Sequence, residues 1–222
     1  MDNVMVFAVH PDDETLGCGG TILKHKSRSD RVSWCIVTEM STEKGFSEQR
    51  IHKRNKEISK VAQKYGFDRI YKLSLPTIYL DEIPKAKLIS HISKAINDFQ
   101  PNILYIPFKN DVHSDHRVVF EAVISCSKTF RYPFIKKIYM MEVLSESEFS
   151  PSIPSESFVP NYFVDISNFF AKKLEILQIY ENETGIHPFP RSLNNVKALA
   201  VYRGATANCE YAESFMLLKE IG

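Results

Sequence analysis

The chain has 222 residues, 44% hydrophobic and 25% charged, which supplies enough apolar side chain for the core of one α/β domain spanning residues 1–222. Lys and Arg number 28 against 27 Asp and Glu, a formal net charge of +1, so there is no general electrostatic case for nucleic acid or an anionic membrane as partner. No apolar run approaches the roughly 18–20 residues of a bilayer span, no leader pattern precedes the first apolar run, and the four cysteines contain no CxxC, so a cytoplasmic protein with small buried thiols is expected.

Val4 to Val9 is a short apolar run that Pro11 must end, which predicts a strand covered on both faces. Thr15 to Lys26 is a predicted helix, with Gly17, Gly19 and Gly20 where it would approach the sheet. The order G-x-G-x-x-G is absent and carboxylates at the helix start would repel a pyrophosphate, so the glycines signify close packing rather than a dinucleotide loop. Arg31 to Thr38 reads as the second strand and Glu39 to Glu48 as a long loop of the binding type. Ser47 to Tyr65 is an amphipathic helix stopped by Gly66. Arg69 to Leu75 is a third strand, and Pro84 opens a helix whose apolar face carries Ile89, Ile92, Ile96 and Phe99.

Asn102 to Phe108 is a fourth strand, followed by a helix from Arg117 to about Ser127 and a strand from Lys137 to Val143. Strand and helix alternate throughout this stretch, which predicts a doubly wound α/β fold, a mainly parallel sheet with helices on both faces. Ser145 to Pro160 reads as an exposed excursion, Tyr162 to Ile166 as a short strand and Asn168 to Tyr180 as a helix. Gly185 to Arg191 is a loop with two prolines, and a last helical pair is expected to run to about Glu220.

Two polar loops carry the chemistry. One holds His10, Asp12, Asp13 and Glu14; the other holds Asp111, His113, Asp115 and His116. Each follows an apolar strand, and the first and fourth strands of a doubly wound sheet are commonly neighbours where strand order reverses, so the loops should face each other. A helix cap explains one carboxylate, not three beside a histidine. Catalytic zinc takes three ligands from His and carboxylate and leaves a position for water. His10, Asp13 and His116 can supply them; a His₂Asp set also suits Fe²⁺. Asp12 can then act as general base, with protonated His113 steadying an oxyanion and Asp115 orienting it and keeping it charged. His25, His52 and His91 lie in charged surroundings and are expected at the surface.

His10-Pro-Asp-Asp-Glu14 after a strand, with His113-Ser-Asp-His116 about a hundred residues later, closely resembles the LmbE-like (PIG-L-type) family of zinc-dependent N-deacetylases. Arg54-Asn-Lys-Glu57, Tyr202-Arg-Gly204 and Tyr211-Ala-Glu-Ser-Phe215 extend the resemblance over nearly the whole chain. It implies a Rossmann-like fold, metal ligands His10, Asp13 and His116, general base Asp12, and His113 with Asp115 in catalysis. It implies an N-acetylglucosaminyl conjugate or other amino sugar as substrate, contacted by Arg54, and homo-oligomers in related proteins. Tyr180-Glu-Asn-Glu183 departs from the Ser-Gln pair many members carry, and His187 to Arg191 reads as a specificity element. His187, Arg191 and Asp111 are therefore further candidates for substrate contact. The rival reading is a non-catalytic nucleotide- or sugar-binding protein on the same scaffold.

Overall fold

In a computed structural model covering residues 1–222, seven strands form one sheet. The elements are β1 (Asn3–Ala8), α1 (Asp13–Ser27), β2 (Arg31–Glu39), α2 (Glu48–Tyr65), β3 (Arg69–Pro76), α3 (Lys85–Phe99), β4 (Ile103–Ile106), α4 (Ser114–Ser125), β5 (Lys137–Met141), β6 (Tyr162–Asp165), α5 (Phe170–Leu177), α6 (Leu193–Ala207) and β7 (Ala212–Glu220). The strand order is β3-β2-β1-β4-β5-β7-β6, with β1 to β5 parallel and β7 antiparallel to both β5 and β6. β1 pairs with β4 through Val4 with Ile103, Met5 with Leu104 and Val6 with Tyr105. This is the expected neighbourhood at the point where strand order reverses.

The apolar run of β1 is buried because both faces of the sheet are covered. Val4, Val6 and Ala8 join one core with residues of α1, α2, α5 and α6, while Met5, Phe7 and Val9 join the other with α3 and α4. That split follows from the period of two along a strand. Fully burying a side chain such as Phe7 or Ile22 stabilises the fold by about 1.5–3 kcal/mol. Ser47 caps α2 by accepting the Arg50 N–H, and Gly66 closes it at φ 66°, a conformation glycine adopts at little cost.

Helix α1 is kinked at Cys18, whose φ of −148° and ψ of 24° are not helical. A Cβ on Gly20 would lie 2.7 Å from Cβ of Ile166, so the helix approaches this segment closer than alanine permits. The N–H groups of Gly20 and Thr21, just past the kink, donate to the Glu213 carboxylate at 2.8 and 2.7 Å. Thr21 Oγ1 and Lys173 Nζ also donate to it, at 2.6 and 2.8 Å. Burying a carboxylate and an ammonium is costly unless they are paired and hydrogen-bonded, and here they are both. The Tyr211-Ala-Glu-Ser-Phe215 motif thus ties β7 to the broken first helix.

Three expectations are corrected. The last helical pair is one helix, α6, followed by strand β7. Asn208 ends α6 at φ 55°, and Gly204 packs so closely on the chain that follows that its Cβ would lie 2.6 Å from the Cys209 carbonyl oxygen. Met216, Leu217, Leu218, Lys219 and Glu220 favour helix intrinsically, but only a strand fills the gap between β5 and β6 and satisfies their backbone groups. Helix α4 begins at Ser114 rather than Arg117, because His113 caps it through the Asp115 N–H. His25 is buried rather than superficial, held between Asp30 at 2.8 Å and the Tyr105 hydroxyl at 3.1 Å. All four cysteines are free; Cys18, Cys35 and Cys126 are buried and Cys209 is partly exposed. No helix is long and apolar enough to cross a membrane.

Candidate metal centre and active site

The loops after β1 and β4 meet at the carboxyl edge of the sheet. The ligand atoms of His10, Asp13 and His116 all lie within 4.8 Å of one another, and so do those of His10, His113 and Asp115. His10 Nε2 lies 3.2 Å from Asp115 Oδ2, and His116 Nδ1 lies 2.8 Å from Asp111 Oδ2. Each histidine thus has one ring nitrogen engaged by a carboxylate and the other left over, the arrangement that fixes tautomer and orientation in metal-binding histidines. The leftover Nε2 of His116 is buried and has no hydrogen-bond partner, with Asp13 Oδ2 3.4 Å away. Buried polar atoms are rarely left so. Two imidazoles and one carboxylate fit a zinc ion in chemistry and number.

The electrostatics favour a cation. Burial opposes it, but Asp13 and Asp111 together hold the His116 imidazole well above its ordinary pKa. Burial likewise opposes ionisation of Asp13, yet His116 and His10 keep its carboxyl well below the usual range. A metal ion would displace the His116 proton and take its place in this field. Asp115, despite its burial, is kept below the ordinary carboxylate range by His10 and by the N–H groups of Ile78 and Leu80, which donate at 2.7 and 3.2 Å.

Those bonds revise the expected roles of the second loop. Asp115 does not orient His113 with its carboxylate; it supports His10, and only its backbone N–H reaches His113 Nδ1, at 3.1 Å. With Nδ1 accepting, the His113 proton sits on Nε2. Burial, then His10 and His116, push the His113 pKa down to about 4, so this imidazole is neutral near pH 7 rather than charged. Asp111 is fully buried behind His116, does not line the cavity that opens over the site, and accepts from Ser147 Oγ at 2.7 Å.

A cavity of about 580 Å³ opens over the site, lined by His10, Asp12, Asp13, His113, Arg54 and Arg191 among others. Asp12 is held at φ 154° and ψ −26°, which L-residues rarely adopt. Its N–H donates to Glu14 Oε2 at 3.1 Å, and Glu14 also accepts from Thr15 Oγ1 at 2.6 Å and Tyr180 OH at 2.8 Å. Burial pushes the Glu14 pKa up to about 7. Glu14 therefore anchors the loop after β1 rather than entering the cavity. Burial, Asp13 and Glu183 also raise the Asp12 pKa well above normal, with Arg191 and Arg54 opposing them.

Arg191 Nη1 reaches Asp12 Oδ2 at 3.1 Å and its Nη2 reaches Glu183 Oε2 at 3.1 Å. Arg54 donates to the Pro11 carbonyl at 2.6 Å and pairs with Glu57, at 3.3 Å, and with Glu183. Both arginines line the cavity with their guanidinium groups already committed to carboxylates. His187 is exposed, 3.2 Å from Asn195 Oδ1, and does not line the cavity. Glu183 and Glu146, which do, carried no local sequence signal of a site; the departure at Tyr180 to Glu183 was the one hint for Glu183.

A diacetylchitobiose deacetylase from Thermococcus kodakarensis is 24% identical over 231 residues, covering 98% of this chain and 84% of its own. The structure of an N,N'-diacetylchitobiose deacetylase from Pyrococcus horikoshii is 20% identical with a TM-score of 0.76, covering 97% of this chain and 83% of that one. GalB, the 4-carboxy-2-hydroxymuconate hydratase from Pseudomonas putida KT2440, shares the fold at 17% identity and a TM-score of 0.75, covering 100% of this chain and 98% of that one. The family described as PIG-L, GlcNAc-PI de-N-acetylase, matches residues 5–127, a span that contains both loops of the site, and the chain belongs to this family.

Proposed function

We propose that this protein is a zinc-dependent deacetylase that releases acetate from the nitrogen of an N-acetylamino sugar or its conjugate, with diacetylchitobiose-like glycans the first class to test. The observation that carries it is the pair of carboxylate-backed histidines beside Asp13, with the His116 Nε2 left unpartnered in the interior. His10, Asp13 and His116 would hold the ion. When bound, zinc supplies a water whose pKa is lowered to about 7 and a Lewis acid for the acyl oxygen. The four free cysteines suit a reducing, cytoplasmic setting.

The chain's own residues account for the remaining steps. Asp12 takes a proton from the attacking water as the C–O bond forms, and Arg191 fixes the carboxylate that receives it. The Nε2–H of neutral His113 donates to the oxygen that gains charge. As the C–N bond breaks, the proton on Asp12 passes to the departing amine nitrogen, and the second proton of the attacking water, left on the new carboxylic acid, follows to give acetate and an ammonium.

The test is acetate release from N-acetylglucosamine and N,N'-diacetylchitobiose by protein of measured zinc content, with and without chelator. Asp12→Asn should lower kcat by about 10²–10⁴-fold with zinc retained. No acetate from any N-acetylated sugar at one zinc per chain would overturn the reading, as would full activity after zinc removal.

A further inference from the structure

The turn that leaves β5 is built to aim one side chain at the site. The N–H groups of Glu146 and Ser147 both donate to the Val143 carbonyl, at 3.1 and 2.9 Å. Ser147 Oγ accepts from the Val143 N–H at 3.0 Å and donates to Asp111, and the Val112 N–H donates to the Glu146 carbonyl at 3.2 Å. Ser145, between them, is held at φ 76°, an uncommon conformation for a residue other than glycine. Such backbone persists where the surroundings over-determine it, often beside a working site. The segment expected to be an exposed excursion therefore starts as a braced turn against the second loop.

Glu146 lines the cavity with His10, Asp13 and His113, and its Oε2 is shielded from solvent with no hydrogen-bond partner. Its Oε1 accepts only from Ser145 Oγ, at 3.3 Å, whereas the other inner carboxylates are held by charged or backbone donors: Asp12 by Arg191, Asp13 by the His10 N–H, and Glu183 by Arg54 and Arg191. Glu39 also lines the cavity but is exposed. A buried carboxylate oxygen without a donor is rare in a folded chain and is explained when a ligand brings the donor. Glu146 is outside the groups of ligand atoms close enough to share one ion, so a metal is not that donor.

We infer that Glu146 is a substrate-contacting residue whose carboxylate, on turning Oε2 from the cavity wall into the cavity, accepts the N–H of the scissile amide and, after cleavage, an N–H of the ammonium product. The inference rests on the deacetylase reading above. The amide N–H supplies the missing donor before cleavage, and the cation formed afterwards is attracted to the carboxylate.

Glu146→Gln and Glu146→Ala, loaded with zinc, are compared with wild type on N,N'-diacetylchitobiose, with glucosamine as product-like inhibitor. Zinc content should stay at the wild-type level in both. Glu146→Ala should lose about 10–100-fold in kcat/KM, the range for a hydrogen bond to a charged group. Glu146→Gln keeps an acceptor oxygen and should recover most of that loss, yet bind glucosamine more weakly because the negative charge is gone. Loss of zinc in either variant, or unchanged kcat/KM and unchanged glucosamine inhibition in both, overturns the assignment. Zinc-loaded wild type that releases no acetate defeats the deacetylase reading instead. Calorimetric binding of glucosamine to wild type and Glu146→Gln then still decides the contact, and equal affinity overturns it.

Discussion

His10 and His116 are held from behind, and Asp12 is held from the side. The carboxylates behind the histidines, Asp111 from the loop after β4 and Asp115 from the first turn of α4, are fully buried and spend their remaining acceptor capacity on backbone N–H groups or Ser147. The frame around Asp12 comes from Arg191, which is 179 residues away, together with Glu183 and Arg54, and it borders the cavity. The first region backs its histidines with carboxylates that are fully buried, which suits fixing donor atoms around an ion. The second is assembled from loops, where relatives can differ without disturbing the fold. The difference suggests separate jobs, metal retention in one and substrate and proton handling in the other.

The strongest way to break that division is at its buried end. Asp111→Asn should weaken zinc binding by about 10–100-fold, read by competition with a chelator, and excess zinc should restore most of the turnover. If turnover falls with zinc affinity unchanged, Asp111 serves chemistry and the division is wrong.

A smaller effect is expected at the framed end. Arg191→Ala should reduce kcat/KM about tenfold, the lower end for a charge-assisted hydrogen bond at a partly exposed site, with zinc content unchanged. Zinc loss comparable to that of Asp111→Asn would show that the two regions work as one.

The smallest effect is on stability and sharpens the account of His113. Its pKa is about 4 in the fold against an ordinary 6.5, because burial and two neighbouring imidazoles disfavour the charge. Between those values the unfolded chain binds a proton that the folded chain refuses, so the group costs stability as pH falls from 6.5 towards 4 and contributes nothing above 6.5. The melting temperature of metal-free His113→Gln should therefore decline less steeply than that of wild type across this window. Parallel curves would mean that His113 titrates normally.

Much of the candidate site's arrangement was legible because its parts lie in two short stretches of sequence. An apolar run ended by proline and crowded with His10, Asp12 and Asp13 fits little besides a ligand-binding loop at a strand end, and the alternation of elements predicted that the loops after β1 and β4 would be neighbours, as their pairing shows. The glycines of α1 read correctly as packing, since a Cβ at Gly17 would lie 2.9 Å from Met141 Cβ. Glu146 was illegible for the opposite reason: nothing in Ser145-Glu-Ser147 differs in composition from a solvated loop, and only the bracing by Val112 and Val143 turns it inward.

The sequence by itself determined the residue types of the candidate metal centre, the strands that carry them and the edge of the sheet where they meet, because those follow from periodicity and from proline's missing N–H. Tertiary structure alone decided the second partner of each polar group. It gave Asp115 to His10 rather than His113, Asp111 to His116, and Glu213 to the kinked helix. It also made the C-terminal segment a strand against its propensity. A carboxylate's partner is set by which donors burial leaves unpaired, and that depends on contacts far apart in the chain.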